Sequence, residues 1–146
     1  WNSKVCYWAA RNGHLEVLRW ARSQGCPWVD GLTCAAAKNG HLEVLQWMRA
    51  QDPPCPWNSK VCYWAARNGH LEVLRWARSQ GCPWHKGVPL IAARRGHLEV
   101  LVWLINEGFS HNKSKCREAA EDGGERARKV LEWLNERREK YLAINV

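Results

Sequence analysis

The sequence predicts an all-α solenoid of stacked helix–turn–helix repeats, on three observations. Residues 1–28 and 57–84 are the same string, WNSKVCYWAARNGHLEVLRWARSQGCPW, letter for letter. The core GHLEVLxW recurs at Gly13, Gly40, Gly69 and Gly96, a period of about 27 residues. No stretch shows the strict apolar–polar alternation of a half-buried strand. A fixed period of this length means that each unit rests on its neighbours and that the stack buries a core no unit could bury alone. The expected organisation is one repeat domain over 1–146, with units at about 1–27, 28–56, 57–83 and 84–110 and a carboxyl-terminal capping unit at 111–146.

Each unit reads as two helices. Asn2 and Ser3 are N-cap candidates for a first helix running to about Asn12, because their side-chain oxygens can accept from unpaired amides at the helix start. Gly13 stops that helix. A second helix spans about His14 to Gln24, ended by Gly25 and kept ended by Pro27. At 100° per residue, Leu15, Val17, Leu18, Trp20 and Ala21 cover one apolar arc, and Glu16, Arg19 and Ser23 lie opposite. On the first helix Val5, Cys6, Ala9 and Ala10 form the inward arc, and the two alanines let a neighbouring helix approach closely. The second unit carries two extra residues in its closing turn, within Asp52-Pro53-Pro54, which a surface loop accommodates. The last unit keeps Cys116 and the Ala119-Ala120 pair. Beyond Gly123-Gly124 it predicts a charged helix from Glu125 through Leu134 towards Tyr141, with Val130, Leu131, Trp133 and Leu134 turned inward, as a terminal cap requires.

The repeat accounts for the composition. Of eleven tryptophans, Trp20, Trp47, Trp76 and Trp103 share one repeat position, and Trp1, Trp28, Trp57 and Trp84 share another. Cys26, Cys55 and Cys82 precede Pro-Trp, while Cys6, Cys62 and Cys116 fall on predicted first helices. Without any CxxC pair, all seven cysteines read as small apolar fillers, with no disulfide and no zinc expected. One histidine per unit, fixed after the glycine at a helix start (His14, His41, His70, His97), reads as a hydrogen-bonding structural residue. The net charge of +8 permits nucleic-acid or acidic partners without selecting them. It is dispersed: residues 1–27 hold four Lys/Arg against one Glu, residues 28–56 two against three acids. No segment reaches transmembrane length. The sequence starts at Trp1 in mid-repeat without Met, so the natural start is expected upstream and secretion stays open. Reduced cysteines suit an intracellular, cytoplasmic site of action.

Ala9-Ala10-Arg11-Asn12-Gly13-His14-Leu15-Glu16-Val17-Leu18 resembles the ankyrin-repeat signature AAxxGHxEVV, and it returns at 36–45, 65–74 and 92–101. The ankyrin repeat is 33 residues long, and the shortfall of six lies between the closing glycine and the Ala-Ala pair. Cys-Pro-Trp stands there in place of the family's TPLH motif and β-hairpin finger. The chain is thus similar to a short, Cys-Pro-Trp variety of ankyrin repeat seen in protists, algae and large DNA viruses. The resemblance implies an ankyrin-like α-solenoid without fingers, tryptophans plugging the turns, and protein–protein recognition rather than a reaction.

Positions that differ between units are free to serve function. Lys4, Tyr7, Trp8 and Arg11 fall at i, i+3, i+4 and i+7 of the first helix, opposite its inward arc. Lys60, Tyr63, Trp64 and Arg67 repeat the stripe. The second unit has Gly31, Cys34, Ala35 and Lys38 there, and the fourth Gly87, Leu90, Ile91 and Arg94. With helices about 10 Å apart, the small residues should leave a shallow trough between two aromatic stripes. Tyr, Trp and Arg together have the composition of an interface hot spot. The expected function is non-catalytic binding of a folded protein through the concave first-helix face, anchored by Lys4, Tyr7, Trp8, Arg11, Lys60, Tyr63, Trp64, Arg67, Leu90 and Arg94. The alternative for the tyrosines and tryptophans is packing against adjacent helices. No nucleophile–base pair, paired carboxylates or phosphate-binding glycine loop appears, so neither a cofactor nor a metal is expected. Exact duplication suggests repeat copying, which suits an effector meeting a host protein. The alternative function is single-stranded nucleic-acid binding by the basic and aromatic stripes. The protein is expected to be monomeric and to bind no membrane.

Overall fold

The computed structural model of the protein describes residues 3–109 and 112–144, with side chains as far as Arg137. The repeat tryptophan Trp1, the N-cap candidate Asn2 and the side chain of Tyr141 lie outside them. The chain divides into two compact units, Trp1–His85 and Lys86–Val146. Among the described residues there is no strand. The helices are α1 (Ser3–Asn12), α2 (Leu15–Ser23), α3 (Leu32–Lys38), α4 (Leu42–Arg49), α5 (Lys60–Arg67) and α6 (Leu71–Ser79) in the first unit. The second holds α7 (Val88–Arg95), α8 (Leu98–Asn106), α9 (Lys113–Gly123), a 3-10 turn at Gly124–Ala127, and α10 (Arg128–Ile144).

In the first unit the first helices stand in a row, α1 against α3 and α3 against α5, each with its own second helix beside it. The row is close because Ala9, Ala10, Ala36, Ala37, Ala65 and Ala66 face inward and are buried. Asn58, the counterpart of Asn2, accepts the amide of Lys60 at 2.9 Å and so caps α5. The Gly-His pair is a joint between repeats. The Nε2–H of His41 donates to the carbonyl of Arg11 at 2.9 Å, and that of His70 to the carbonyl of Lys38 at 3.0 Å. The hydrogen-bonding role expected for these two histidines is therefore present, and an acceptor carbonyl requires the proton on Nε2. Gly13 (φ +75°) sits beneath the His41 ring, where a Cβ would lie 2.6 Å from Nδ1. A side chain there would be both strained and in collision.

Cys-Pro-Trp forms the closing turn throughout the first unit. Arg22 stacks on Trp28 with its guanidinium carbon 4.0 Å from the ring centre and donates to the Cys26 carbonyl. Arg49 does the same at Trp57, at 4.2 Å, donating to the Cys55 carbonyl at 2.7 Å. Arg78 lies 5.0 Å from the Trp84 ring. The other face of the lock is aromatic: Trp47 meets Trp28 edge-on at 6.1 Å, and Trp76 meets Trp57 at 5.8 Å. The longer turn of the second repeat, which contains a cis Asp52–Pro53 bond, is tied down by the Trp28 indole N–H donating to Pro53 O at 3.1 Å.

Two expectations need correction. Val17 and Trp20 were expected in the inward arc; they are 44% and 55% exposed, whereas Val44 and Val73 are each 2% exposed. Repeat 1 is the first in this sequence, and no earlier repeat in it covers that face. Trp47 and Trp76 are half-buried rather than sealed inside. The cysteines differ as well. The sulfurs of Cys6 and Cys26 are brought together, because the closing turn folds back beneath the first helix of its own repeat. In repeat 3 the same positions, Cys62 and Cys82, are buried thiols. Position 6 of repeat 2 is Thr33, buried, its hydroxyl donating to Pro56 O at 2.9 Å.

The second unit gathers Ala93, Leu101, Cys116, Ala120, Ala127, Val130 and Leu134 into a core, with Leu131 and Trp133 packed at its edge. The four inward residues expected of the cap thus face the core. The Gly123-Gly124 pair leads into a 3-10 turn, so α10 begins three residues later than the predicted helix. Gly123 and Gly96 leave room for the backbone of Arg94 and Arg126 respectively.

Candidate partner-binding face

Three first helices, α1, α3 and α5, build one face of the first unit. Their inward positions are taken by Val5, Cys6 and the alanine pairs, so on α1 and α5 the residues at i, i+3, i+4 and i+7 turn away from the core; on α3 the stripe residue Ala35 is buried. Trp8 is 50% exposed and Tyr7 38%. Lys4, Arg11, Lys38 and Lys60 are exposed, and Tyr63, Trp64 and Arg67 half-buried.

The face is organised by cations on rings. Arg11 lies 4.8 Å from the centre of Trp8. Trp64 is flanked by Lys38 at 4.7 Å and Arg67 at 5.1 Å. Each such contact is worth about 0.5–1 kcal/mol at an exposed site. Tyr7–Trp8 and Tyr63–Trp64 pack edge-on at 6.1 and 5.8 Å, and Tyr63 also meets His85 at 5.3 Å. Lys38, in the stripe of repeat 2, therefore reaches across to the tryptophan of repeat 3. Spacing within one helix could not reveal that contact.

Where the turns lead into α3 and α5 a cleft of about 480 Å³ opens, lined by Trp28, Val29, Gly31, Cys34, Trp57 and Lys60 among others. It lies where repeat 2 substitutes Gly31 and Cys34 for the Lys and Tyr of its neighbours. Asp30 stands on its wall. Cys34 is the one partly exposed free thiol among the described cysteines. Desolvation outweighs nearby Lys60 and pushes its pKa up, so it stays protonated at neutral pH.

Leu90 and Arg94 belong to the second unit. Leu90 packs against that unit's core, and Arg94 donates to Asp122 at 2.8 Å. The Arg locks on Trp28 and Trp57 were missed from sequence; the signal was an Arg at the end of each second helix (Arg22, Arg49, Arg78) before every Pro-Trp.

Among the described residues, no three His, Cys, Asp or Glu side chains gather as metal ligands. No described helix is long and apolar enough to cross a membrane. Burial pushes the Cys55 thiol up to about 12. A hydrogen bond from the Cys62 thiol raises Cys62 and lowers Cys82, which Arg49 and Arg78 also favour as thiolate.

Residues 32–78 match the family of ankyrin repeats (many copies). That segment runs from α3 through nearly all of α6 and includes the centre of the face. No curated protein matches the chain.

Proposed function

We propose that this chain, whose residues 32–78 are ankyrin repeats, binds a folded protein partner through the α1–α3–α5 face and catalyses no reaction. Ankyrin repeats are generally protein–protein interaction modules and typically non-enzymatic. The observation that carries the reading is the run of cation–ring contacts along this face, Arg11 on Trp8 and both Lys38 and Arg67 on Trp64. An exposed indole beside an arginine is costly to leave in water and is the residue pair most enriched at binding hot spots. Lys4, Tyr7, Trp8, Arg11, Lys60, Tyr63, Trp64 and Arg67 supply the anchors. The partner could be a host protein and the chain an effector, which repeat copying would suit; an intracellular site of action suits the free thiols of repeats 2 and 3. Nucleic-acid binding is the weaker reading, since the cations on Trp8 and Trp64 would have to leave before a base could stack.

The test is the double substitution Trp8→Ala/Trp64→Ala. Proteins retained by the wild-type chain from cell extract should be lost by the variant, with each truncation costing about 2 kcal/mol, roughly thirty-fold in affinity. Thermal melting should show a fold kept. Undiminished capture by a folded variant would remove the face from the proposal.

A further inference from the structure

Charge is sorted between the two layers of the first unit. Helices α1, α3 and α5 carry Lys4, Arg11, Lys38, Lys60 and Arg67 and not one acid. The second helices hold the acids, Glu16, Glu43 and Glu72, each within a turn or two of an arginine. Glu16 pairs with Arg19 at 3.3 Å and Glu72 with Arg75 at 3.8 Å. The second-helix layer therefore sets three glutamates against five arginines, while the first-helix layer carries cations alone. A face of one sign attracts the opposite sign and repels its own.

The shape adds a second requirement. The cleft at the starts of α3 and α5 is lined by Trp28, Trp57, Val29 and Pro56, by the small Gly31 and Cys34, and by Lys60. At about 480 Å³ it has room for a large apolar side chain. Its one acid, Asp30, belongs to the turn before α3 and not to the helix face.

Resting on the binding reading above, we infer that the partner presents an acidic protein segment, its carboxylates on Lys38, Lys60 and the flanking arginines and one apolar side chain seated between Trp28 and Trp57. Lys and Arg suit different contacts here. Arg67 and Arg11 are planar and already oriented by their tryptophans, which favours forked carboxylate pairing. Lys38 and Lys60 are point charges, Lys60 on the cleft and Lys38 on the Trp64 ring. A carboxylate placed between Lys38 and Arg67 would keep both cations on Trp64 while neutralising them, so the aromatic and ionic contacts support one another.

The experiment uses the full chain and a short fluorescein-labelled peptide of glutamates and serines around one leucine. Companion peptides replace all glutamates by serine, or the leucine by serine. A single-stranded oligo(dT) is a separate arm. The glutamate peptide should bind and weaken about ten-fold or more between about 50 mM and 0.5 M salt. Lys38→Glu/Lys60→Glu should weaken it at least ten-fold with an unchanged melting curve; Lys38→Ala/Lys60→Ala serves if charge reversal disturbs the fold. Alkylating Cys34 with a bulky maleimide should block the leucine-bearing peptide and leave the leucine-free one unaffected. Equal binding of the all-serine peptide, or no binding of the glutamate peptide, overturns the acidic segment; the face itself then stands or falls by the Trp8/Trp64 variant. Indifference to Cys34 alkylation overturns the seating of the apolar side chain. Tighter binding of oligo(dT) than of the glutamate peptide overturns the inference and the protein-binding reading together.

Discussion

Repeats 1 and 3 share every letter over 28 residues and yet are physically different. Val17 is 44% exposed and its twin Val73 is 2%. Trp8 stands half in solvent, while Trp64 is flanked by a lysine from the repeat before it. His70 donates to the Lys38 carbonyl of the preceding repeat, and His14 has no preceding repeat in this sequence to bond. The sulfurs of Cys6 and Cys26 are brought together; in repeat 3 the Cys62 thiol donates to Cys82. In a stacked protein, the same residue is core or surface according to what lies on it. Identical sequence therefore gives matched controls within one molecule.

The largest contrast should come from the helix-2 tryptophans. Trp76→Ala removes a half-buried ring packed edge-on against Trp57, and about 3 kcal/mol should be lost, the lower end for a buried aromatic. Trp20→Ala should lose about 1 kcal/mol, in line with the smaller area it takes out of water. Equal shifts in denaturant midpoint for the two would show that burial does not separate the repeats. Valine gives a smaller version. Val73→Ala deletes buried methyls worth about 1.5 kcal/mol, while Val17→Ala should change stability by less than about 0.5 kcal/mol.

The histidine pair sharpens the comparison further. His70→Ala leaves the Lys38 carbonyl without this donor and should cost about 1 kcal/mol, whereas His14→Ala should be close to neutral. Asn68, which also donates to the Lys38 carbonyl at 2.6 Å, limits the loss. A loss at His14 equal to that at His70 would mean the histidines act within their own helix and not between repeats.

The smallest effect concerns the thiols. Burial raises Cys55 to about 12 from an ordinary 9.0. The folded state then holds its proton where the unfolded chain has released it, so stability is full below pH 9 and declines as pH rises towards 12. Under reducing conditions, melting temperature should fall between pH 9 and 10.5, and Cys55→Ala should flatten part of that fall. No flattening would place the alkaline loss on other groups.

Much of the fold was legible because local rules and repeat rules coincided. Gly13 and Gly25 ended the helices where the structure ends them, to within a residue or two, since both adopt positive φ that other residues resist. Absence of a β-finger followed from the missing residues, and no strand occurs among the described ones. The cap's inward residues followed from helical spacing. The site was legible only in outline. The stripe positions on α1 and α5 were readable from periodicity; the place of the cleft was not, since it opens at the starts of α3 and α5 and none of the stripe aromatics lines it.

What periodicity could not supply was every relation between repeats. That Lys38 serves Trp64, that Val17 is bare, that Cys6 meets Cys26, and that Arg94 is engaged by Asp122 all depend on atoms brought together by packing. The sequence by itself determined the period, the helices, the turns and the outward side of α1 and α5, because those follow from backbone conformation and spacing along one helix; the stripe residues Ala35 and Ile91 of the other two repeats are buried. Only the tertiary structure decided which identical residues are covered, which cations sit on which rings, and where the cleft opens. The reason is that burial and ring–cation contact are properties of a neighbour's surface, and two copies of one string have different neighbours.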